Sequence, residues 1–246
     1  MDRFLYVAMS GASETLRMQA ANSHNLANAS TTGFREDLAA FQTRNVAGPG
    51  FASRAYATTG EAGWDATSGS VQDTGRPLDV AIQGSGWLAV QAPDGGEAYT
   101  RAGDLHLDTQ GNLVTAAGHT VMGDAGPINV PPHSSLHVGA DGTVSIVPLG
   151  SGPETTASVG RLKLVNPPAS AVTKGVDGLY RLRDGSDAAA DASVQVTAGA
   201  LESSNVNVAD AMVQMIELSR RFDLEVKAMR AAEDNGAAAS QLLRLG

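Results

Sequence analysis

Asp104, His106 and Asp108, in the segment "GDLHLD", are the first residues of this sequence that could do chemistry together. They alternate along the chain, so in a β-strand all three side chains would lie on one face. Carboxylates beside an imidazole are groups that can exchange protons in acid/base catalysis. Polar residues at the edge of a β-hairpin produce the same alternation. Because no nucleophile accompanies the three, the pattern favours a hairpin edge.

Two further clusters contain possible metal ligands. His133 and His137 follow the two prolines at 131–132 and border an alternating segment, where a spacing of four does not form a tight helical chelate. A third ligand is not evident beside them. The acidic segment 184–191, "DGSDAAAD", carries Asp184, Asp187 and Asp191 without the spacing and bidentate glutamate of a calcium loop. We therefore expect no bound metal.

Other catalytic and cofactor motifs are incomplete. The segment Gly84–Gly86 lacks the third glycine and the following helix of a dinucleotide site, so it is interpreted as a turn. No serine lies in a nucleophile-elbow motif, and the absence of cysteine excludes thiolate nucleophiles and disulfides. The prediction is a protein that is not an enzyme and has no cofactor and no small-molecule substrate.

Composition limits the remaining classes of protein. A chain of 246 residues can form one large domain or two modest ones. A formal net charge of -9 argues against nucleic acid as a partner, because binding phosphates requires a basic surface. No apolar run is long enough for a membrane span, and the opening segment is a poor secretory signal. We expect a protein that stays in the cytosol or leaves it without a cleaved leader.

The middle of the chain, from Leu78 to about Thr197, has the pattern of an antiparallel β domain. Short alternating runs are separated by turn signals, among them Asp94-Gly95-Gly96 and Asp141-Gly142. The predicted strands lie in the segments "LDVAI", "WLAVQ", "LHLD", "LHVGADGTVSIV", "RLKLV", "LYRLRD" and "VQVT". Before them, from Gly33 to about Pro77, the sequence shows no regular hydrophobic period. This is typical of extended or irregular chain in which a short strand can occur.

Both ends of the chain show helical periodicity. The N-terminal stripe extends from Asp2 to about Asn28, through Leu5, Met9, Ala12, Leu16, Gln19, Ser23 and Leu26. The C-terminal stripe extends from Asn207 towards Leu245, through Val208, Met212, Met215, Ser219, Phe222, Val226 and Met229. Asn207 and Asp210 form a capping-box-like start, and Asn235-Gly236 is predicted to fray or bend the helix.

Two such helices need a partner for their apolar faces. The simplest arrangement pairs the two ends of the chain, yet a pair alone leaves several apolar side chains in water, so the stripes predict oligomerisation. The side chains expected to stay exposed in the pair are Val7, Met18, Val213, Ile216, Leu218 and Leu224. The alternative, in which both helices dock on the β domain of a monomer, is equally compatible with the periodicity.

Three segments together resemble the axial proteins of the bacterial flagellum, the family of rod and hook subunits. "MDRFLYVAMSGASETLRMQAANSHNLANASTTGFRE" is similar to the N-terminal rod signature, and "TGRPLDVAIQGSGWLAV" to the central signature that opens the β domain. "GALESSNVNVADAMVQMIELSRRFDLEVKAMRAAED" resembles the C-terminal rod signature. His24, Ser85 and Leu88 depart from the family pattern. The opening and the modest length look more like the proximal-rod members than the distal-rod or hook members.

The resemblance implies an α+β fold in which long N- and C-terminal helices form a split coiled-coil rod domain around a central antiparallel β-rich domain. The expected boundaries are 1–35 and 200–246 for the rod core, 36–76 for an extended connection and 77–199 for the outer β domain. It also implies a structural subunit of the proximal rod, exported by the flagellar type III apparatus and placed in the periplasm. Its partners would be copies of itself and neighbouring rod subunits.

A distal-rod subunit of the same family is an alternative function. A second alternative is a soluble binding module in which the β domain binds a ligand and the terminal helices form a dimer. Such a module would need an exposed aromatic platform, for which the two tryptophans, Trp64 and Trp87, give little support.

The expected interface follows from the helical stripes and the resemblance. The amides of Asn22, Asn25 and Asn28 would bond to backbone or to the next subunit in a tube wall, with Leu26 as an apolar anchor between them. Gly33 would adopt positive φ at the helix end, and Phe34 would fix the exiting strand. The full set of expected assembly residues is Leu5, Met9, Leu16, Asn22, Asn25, Leu26, Asn28, Gly33, Phe34, Met212, Met215, Phe222, Val226 and Met229.

Overall fold

The structure is a computed structural model that describes residues 2–39, 41–45, 55–59, 63–150, 152 and 155–244. The chain divides into two compact units. Unit 1 comprises Met1–Ala29, Glu36–Asp65 and Val206–Gly246, and unit 2 comprises Ser30–Arg35 and Ala66–Asn205. The fold is α+β with a helix at each end and antiparallel strands between them, which confirms the predicted class.

Unit 1 is built around the two long helices, α1 (Asp2–Ala27) and α2 (Val208–Arg244). They run antiparallel, because Asn22 of α1 contacts the first turn of α2 while Thr15 contacts Glu225 further along. Among the described residues, neither helix combines the length and the apolar character that a membrane-spanning helix requires.

The helix ends follow from capping residues. Asn207 Oδ1 accepts the backbone N–H groups of Ala209 and Asp210 at 3.1 and 3.4 Å, and its Nδ2 donates to the Asp210 carboxylate at 2.7 Å. The predicted cap by Asn207 is therefore confirmed. The contact with Asp210 resembles a capping box but uses the side-chain amide of Asn207 as donor. At the end of α1, the side chain of Asn28 donates to the carbonyl of His24 at 2.9 Å.

Helix α2 continues through Asn235-Gly236 to Arg244 without interruption. The predicted fraying at this pair is therefore wrong, and the alternative of a bend stays a prediction. A single glycine costs a helix only about 1 kcal/mol relative to alanine, so the alanine-rich turns on either side can maintain the helix through it.

Within the described residues, unit 1 also contains four short strands: β1 (Asp37–Leu38), β2 (Phe41–Asn45), β3 (Ala55–Thr59) and β4 (Gly63–Trp64). Strands β2 and β3 form an antiparallel hairpin, and β1 pairs with β4. Segment 36–76 was predicted to be extended or irregular, so these pairings add strand structure there. Residues 40, 46–54 and 60–62 of the predicted connection lie outside the described residues.

Unit 2 contains the remaining strands. In chain order they are β5 (Val71–Asp73), β6 (Val80–Gln83), β7 (Trp87–Gln91), β8 (Glu97–Thr100), β9 (Leu105–Leu107), β10 (Leu113–Thr115), β11 (Met122–Gly123), β12 (Gly126–Pro127), β13 (His133–Val138), β14 (Thr143–Pro148), β15 (Ala157–Arg161), β16 (Leu164–Val165), β17 (Val172–Lys174), β18 (Tyr180–Leu182), β19 (Gln195–Ala198) and β20 (Ala200–Glu202). A short 3₁₀ turn, Ala169–Ala171, precedes β17.

These strands form small antiparallel sheets. The largest has the order β16-β7-β8-β18-β17, and a second has the order β13-β14-β15. The predicted hairpins at Asp94–Gly96 and Asp141-Gly142 are confirmed, since β7 pairs with β8 and β13 with β14. Strand β20 pairs with β5 and β19 pairs with β6, so the last strands of unit 2 return to its first ones.

Unit 2 contains a buried cluster of aliphatic side chains. Its buried residues are Val80, Ile82, Leu88, Val90, Ala92, Ala98, Leu105, Leu113, Val121, Ile128, Val130, Leu136, Val138, Val144, Ile146, Leu162, Leu164, Leu179, Val194 and Val196. They come mainly from the inward positions of alternating strands, as expected for antiparallel sheets with one face packed inward.

The observed units differ from the predicted boundaries in three places. Segment 30–35 belongs with the β-rich unit, and the predicted connection is divided at residue 65 between the two units. Residues 200–205, predicted in the rod core, also belong with the β-rich unit. Contacts between α1 and β1 explain the second difference, since Asn25 of α1 forms two hydrogen bonds to the backbone of Asp37.

Candidate assembly surface

The contact between α1 and α2 is lined by small and polar residues. Ala12, Thr15 and Asn22 of α1 are buried, as are Ala211 and Leu218 of α2. Side chains of this size allow two helices to approach closely. Many of the larger apolar side chains of the two helices lie on other faces, away from this contact.

A buried polar contact defines the middle of the seam. Thr15 Oγ1 donates to Glu225 Oε1 at 3.1 Å, and Thr15 itself is completely buried. A Cβ added at Gly11 would lie 3.1 Å from the same carboxylate oxygen, so this glycine leaves room for Glu225. A carboxylate held in this way specifies one register of the two helices.

The predicted asparagines use their amides within the chain. Asn22 Nδ2 donates to the carbonyl of Ala211 at 2.7 Å. Asn25 forms two bonds to the backbone of Asp37: its Nδ2 donates to the carbonyl at 2.9 Å and its Oδ1 accepts the N–H at 2.8 Å. His24, one of the departures from the family pattern, contacts the Asp37 carboxylate at 2.7 Å.

These bonds give Asn22 and Asn25 a role inside one chain, because they fasten α1 to α2 and to β1. Both residues are buried, with exposed fractions of 4 and 3%. Asn28 is engaged at the end of α1, and Leu26 is half-buried. The predicted bonding of these amides to a neighbouring subunit stays a prediction.

Among the side chains of α2 that the structure describes, five large apolar ones point away from α1 into solvent. They form what we call the outer α2 face: Val208, Met212, Val213, Ile216 and Leu224, with exposed fractions of 41, 52, 56, 56 and 64%. Val208, Met212 and Ile216 recur every four residues and so share one side of the helix. These three side chains therefore form an apolar strip on the exposed side of α2.

Helix α1 carries a second exposed set, which we call the outer α1 face: Tyr6, Met9 and Leu16. Met9 and Leu16 are half exposed and lie two helical turns apart on the same side. Leu5, also predicted at the interface, is half-buried.

The predicted C-terminal stripe is divided between two environments. Met215, Phe222, Val226 and Met229 are half-buried, whereas Met212 belongs to the outer α2 face. Of the side chains expected to stay exposed to solvent, Val213, Ile216 and Leu224 are exposed as predicted. Val7 and Met18 are half-buried. The expectation for Leu218 is wrong, because this side chain is 7% exposed and lies on the inner side of α2.

Next to Leu218, unit 1 contains an open groove of about 350 Å³. It is lined by Met18, Ala39, Gln214, Glu217, Leu218 and Arg221. Its lining mixes polar and apolar side chains and lacks the convergent catalytic groups that an active site would need.

The chain leaves α1 through a tight turn. Gly33 has φ of +66°, as predicted, and its N–H donates to the carbonyl of Glu202 at 2.8 Å. A Cβ at this position would lie 2.2 Å from the carbonyl carbon of Arg101, so no side chain fits. Phe34 is half-buried beneath the ammonium group of Lys174, 3.9 Å from the ring centroid.

The residues singled out for acid/base chemistry have separate structural roles. Asp104 forms a β-bridge with Asp79, and its pKa is raised by burial and, less strongly, by the nearby Asp79 carboxylate. His106 is exposed. Hydrogen bonds from the side chain and backbone of Asn112 lower the pKa of Asp108, which caps the β9–β10 turn.

The possible metal ligands also lie apart. His133 contacts the carbonyl of Pro131, and His137 is exposed on β13. Asp184 and Asp191 each bind a serine two residues further along the chain, an arrangement that lowers the pKa of both carboxyls. Within the described part of the chain, no group of three or more acidic, histidine or cysteine residues could hold a metal ion.

Three family models match segments of the chain. Residues 5–35 match the model described as flagella basal body rod protein, and residues 81–146 match the flagellar hook protein FlgE/F/G D1 domain. Residues 197–242 match the flagellar basal body rod FlgEFG protein C-terminal model.

Full-length relatives agree with these matches. The chain is 45% identical to the flagellar basal-body rod proteins FlgF of Salmonella typhimurium (strain LT2) and of Escherichia coli (strain K12), over the whole of each protein. It is 32% identical to FlgG of Bacillus subtilis (strain 168), with 95% of this chain and 96% of the relative covered. The chain belongs to the flagellar basal-body rod protein family.

The rod-family signatures hold a buried ion cluster that sequence reasoning missed. Arg35 Nη2 lies 2.6 Å from Glu202 Oε1, and Arg101 Nη1 lies 2.8 Å from Glu202 Oε2. The Arg35 contact is an ion pair rather than an aligned hydrogen bond. Burial lowers the pKa of Arg101, while Glu202 opposes this shift. Arg35 lies in the N-terminal signature segment and Glu202 in the C-terminal one. Their presence in these two segments is the sequence feature from which the pair could have been predicted.

Proposed function

We propose that this chain is a structural subunit of the bacterial flagellar basal-body rod and that it belongs to the proximal rod. The observation that carries the proposal is the full-length identity of 45% to two FlgF proteins. The match includes both terminal helices, which are the elements that present the exposed apolar faces.

In this proposal, assembly uses the outer α2 face and the outer α1 face. Each side chain of these faces is two-fifths or more exposed in one chain, and burying a large apolar side chain stabilises by about 1.5 to 3 kcal/mol. The helices of adjacent subunits would pack on these faces as a coiled coil, and the half-buried Met215, Phe222, Val226 and Met229 would complete the seam. Copies of this chain and neighbouring rod subunits are the partners.

Such packing suits a part that transmits torque and encloses an export channel. Closely packed interiors have low compressibility, so interlocked helices transmit strain with little slack. The small-residue seam between α1 and α2 supports this role, since it lets the two helices of one chain approach closely. The function requires interfaces and no catalysis.

The proposed location is the rod of the basal body within the periplasm. The chain would reach it through the flagellar type III export apparatus, which is therefore a further partner.

A distal-rod subunit is the second candidate, because FlgG proteins also match most of the chain. The binding-module alternative receives no comparable support. Trp87, one of its two tryptophans, is buried against Tyr180 with ring centroids 4.3 Å apart, so it is not available as an exposed platform.

Deletion of the gene in the source bacterium tests the proposal. We expect loss of motility, basal bodies that lack a complete rod, and recovery of both when the wild-type chain is supplied. Motile deletion cells with complete rods would contradict the function. Recovery by a FlgG protein but not by a FlgF protein would assign the chain to the distal rod.

A further inference from the structure

Three separate segments of unit 2 meet at the buried carboxylate of Glu202. They are residues 33–35, 67–70 and 202–205, and each lies next to a point where the chain passes between the two units. Glu202 Oε1 accepts the N–H of Gly69 at 2.9 Å and contacts Arg35, while Oε2 accepts a hydrogen bond from Arg101.

Backbone bonds reinforce the same meeting point. Gly33 N–H donates to the carbonyl of Glu202 at 2.8 Å, and Ser203 N–H donates to the carbonyl of Ser70 at 2.8 Å. Asn205 donates through its side chain to the carbonyl of Thr67 at 3.1 Å. A Cβ at residue 69 would lie 2.0 Å from the carbonyl oxygen of Ser203, so the segments leave no space for a larger residue there.

The charges at this point are almost fully removed from water. The side chains of Arg35 and Glu202 are each 1% exposed and that of Arg101 is 5% exposed. Burying a charge is costly unless it is paired, so each of the three stabilises unit 2 only when the others are in place. The charges therefore connect segments 33–35 and 202–205 to Arg101, and the Gly69 N–H connects segment 67–70 to the same carboxylate.

We infer that Arg35, Arg101 and Glu202 act as a clasp that holds the segment following α1 and the segment preceding α2 in a fixed arrangement within unit 2. Arg101 follows β8, and its second guanidinium nitrogen donates to the carbonyl of Gly84 at 2.5 Å. The clasp thus depends on the folded sheets of unit 2, so folding of this unit orders the chain on both sides of it.

Hydrogen exchange of the full-length chain tests the clasp. In Glu202→Gln, we expect the amides of residues 33–35, 67–70 and 202–205 to exchange about tenfold or more faster, because a hydrogen bond to a charged group has been lost. The amides of β7 and β14 should keep their protection. Asp184→Asn, which removes an exposed carboxylate of unit 2, is the matched control and should change none of these segments.

A second variant is needed because Glu202→Gln leaves the buried Arg35 and Arg101 without a counter-charge, which by itself can destabilise unit 2. It distinguishes the loss of the clasp from a general loss of stability. The triple variant Arg35→Met, Arg101→Met and Glu202→Leu keeps apolar packing and removes the directed bonds. We expect unit 2 to stay folded while the three segments still exchange faster. Protection of these segments equal to wild type in the triple variant would overturn the inference, as would unchanged exchange in Glu202→Gln.

Discussion

At the scale of single residues, burial and hydrogen bonding determine the role of each polar side chain in this chain. The alternation of Asp104, His106 and Asp108 was visible in the sequence, and the interpretation as a hairpin edge fits β9 and its turn. Their different surroundings were not predictable, since burial of Asp104 depends on pairing with Asp79, which is distant in the chain. The Glu202 clasp was missed for the same reason.

Asp104→Asn should stabilise unit 2 at neutral pH. The pKa of Asp104 is raised in the folded state, so the folded chain binds this proton more readily than the unfolded chain. The stability from this proton is present in acid and is lost as pH rises through the folded pKa. Asparagine is neutral at every pH, so the variant's advantage in melting temperature should be largest near pH 7 and shrink towards pH 4.

Asp108→Asn is the control with the opposite sign. Hydrogen bonds lower the pKa of Asp108, so its carboxylate stabilises the fold above the unfolded pKa and that contribution is lost in acid. Melting temperatures of both variants at several pH values provide the check. The same pH dependence in the two variants would contradict the account.

Gly33→Ala should destabilise unit 2 by about 2 to 5 kcal/mol, from left-handed strain and from the clash with Arg101. Gly185→Ala isolates the strain, because Gly185 has φ of +72° but no atom within 4 Å of an added Cβ. That control should cost about 1 kcal/mol. Urea unfolding of both variants measures the difference, and equal losses would show that no close contact exists at Gly33.

At the scale of elements, the helices were the most predictable part of the fold. Capping residues and periodicity predicted α1 and α2 within one residue of their observed starts. The inner side of α2 was less predictable. A four-three stripe drifts around a helix of 3.6 residues per turn, so a residue beside the stripe, such as Leu218, can face the partner helix.

Leu218 and Leu224 should respond differently to truncation. Leu218→Ala removes a buried side chain and should cost unit 1 about 2 to 4 kcal/mol. Leu224→Ala changes an exposed residue and should cost less than about 0.5 kcal/mol in the isolated chain. Thermal unfolding followed by far-UV circular dichroism compares them. A larger loss for Leu224→Ala would mean that the inner and outer sides of α2 are wrongly assigned.

At the scale of the whole molecule, the antiparallel β region and the terminal helices were predictable from the change of period along the chain. The division into units was less so. The pairing of β5 with β20 joins residues about 130 apart, and local patterns do not specify such long-range partners. The place of 36–65 in the helical unit likewise depends on pairing that turn signals did not reveal.

Met212→Asp and Ile216→Asp should abolish motility while the isolated chain folds normally. Each places a charge on the outer α2 face, which is exposed in one chain and proposed to be buried in the rod. Gln214→Asp adds the same charge at an exposed polar position and should preserve motility. Swimming assays and melting curves of the purified variants provide the comparison, and normal swimming of both face variants would place the interface elsewhere.

The most direct test of the rod assignment is mass spectrometry of basal bodies purified from the source bacterium. The account predicts that this chain is present in the particles in a fixed ratio to the other rod subunits, at fewer copies than the distal-rod subunit. It also predicts that Met212→Asp chains are missing from them. Particles with a complete rod that contain none of the wild-type chain would contradict the central claim.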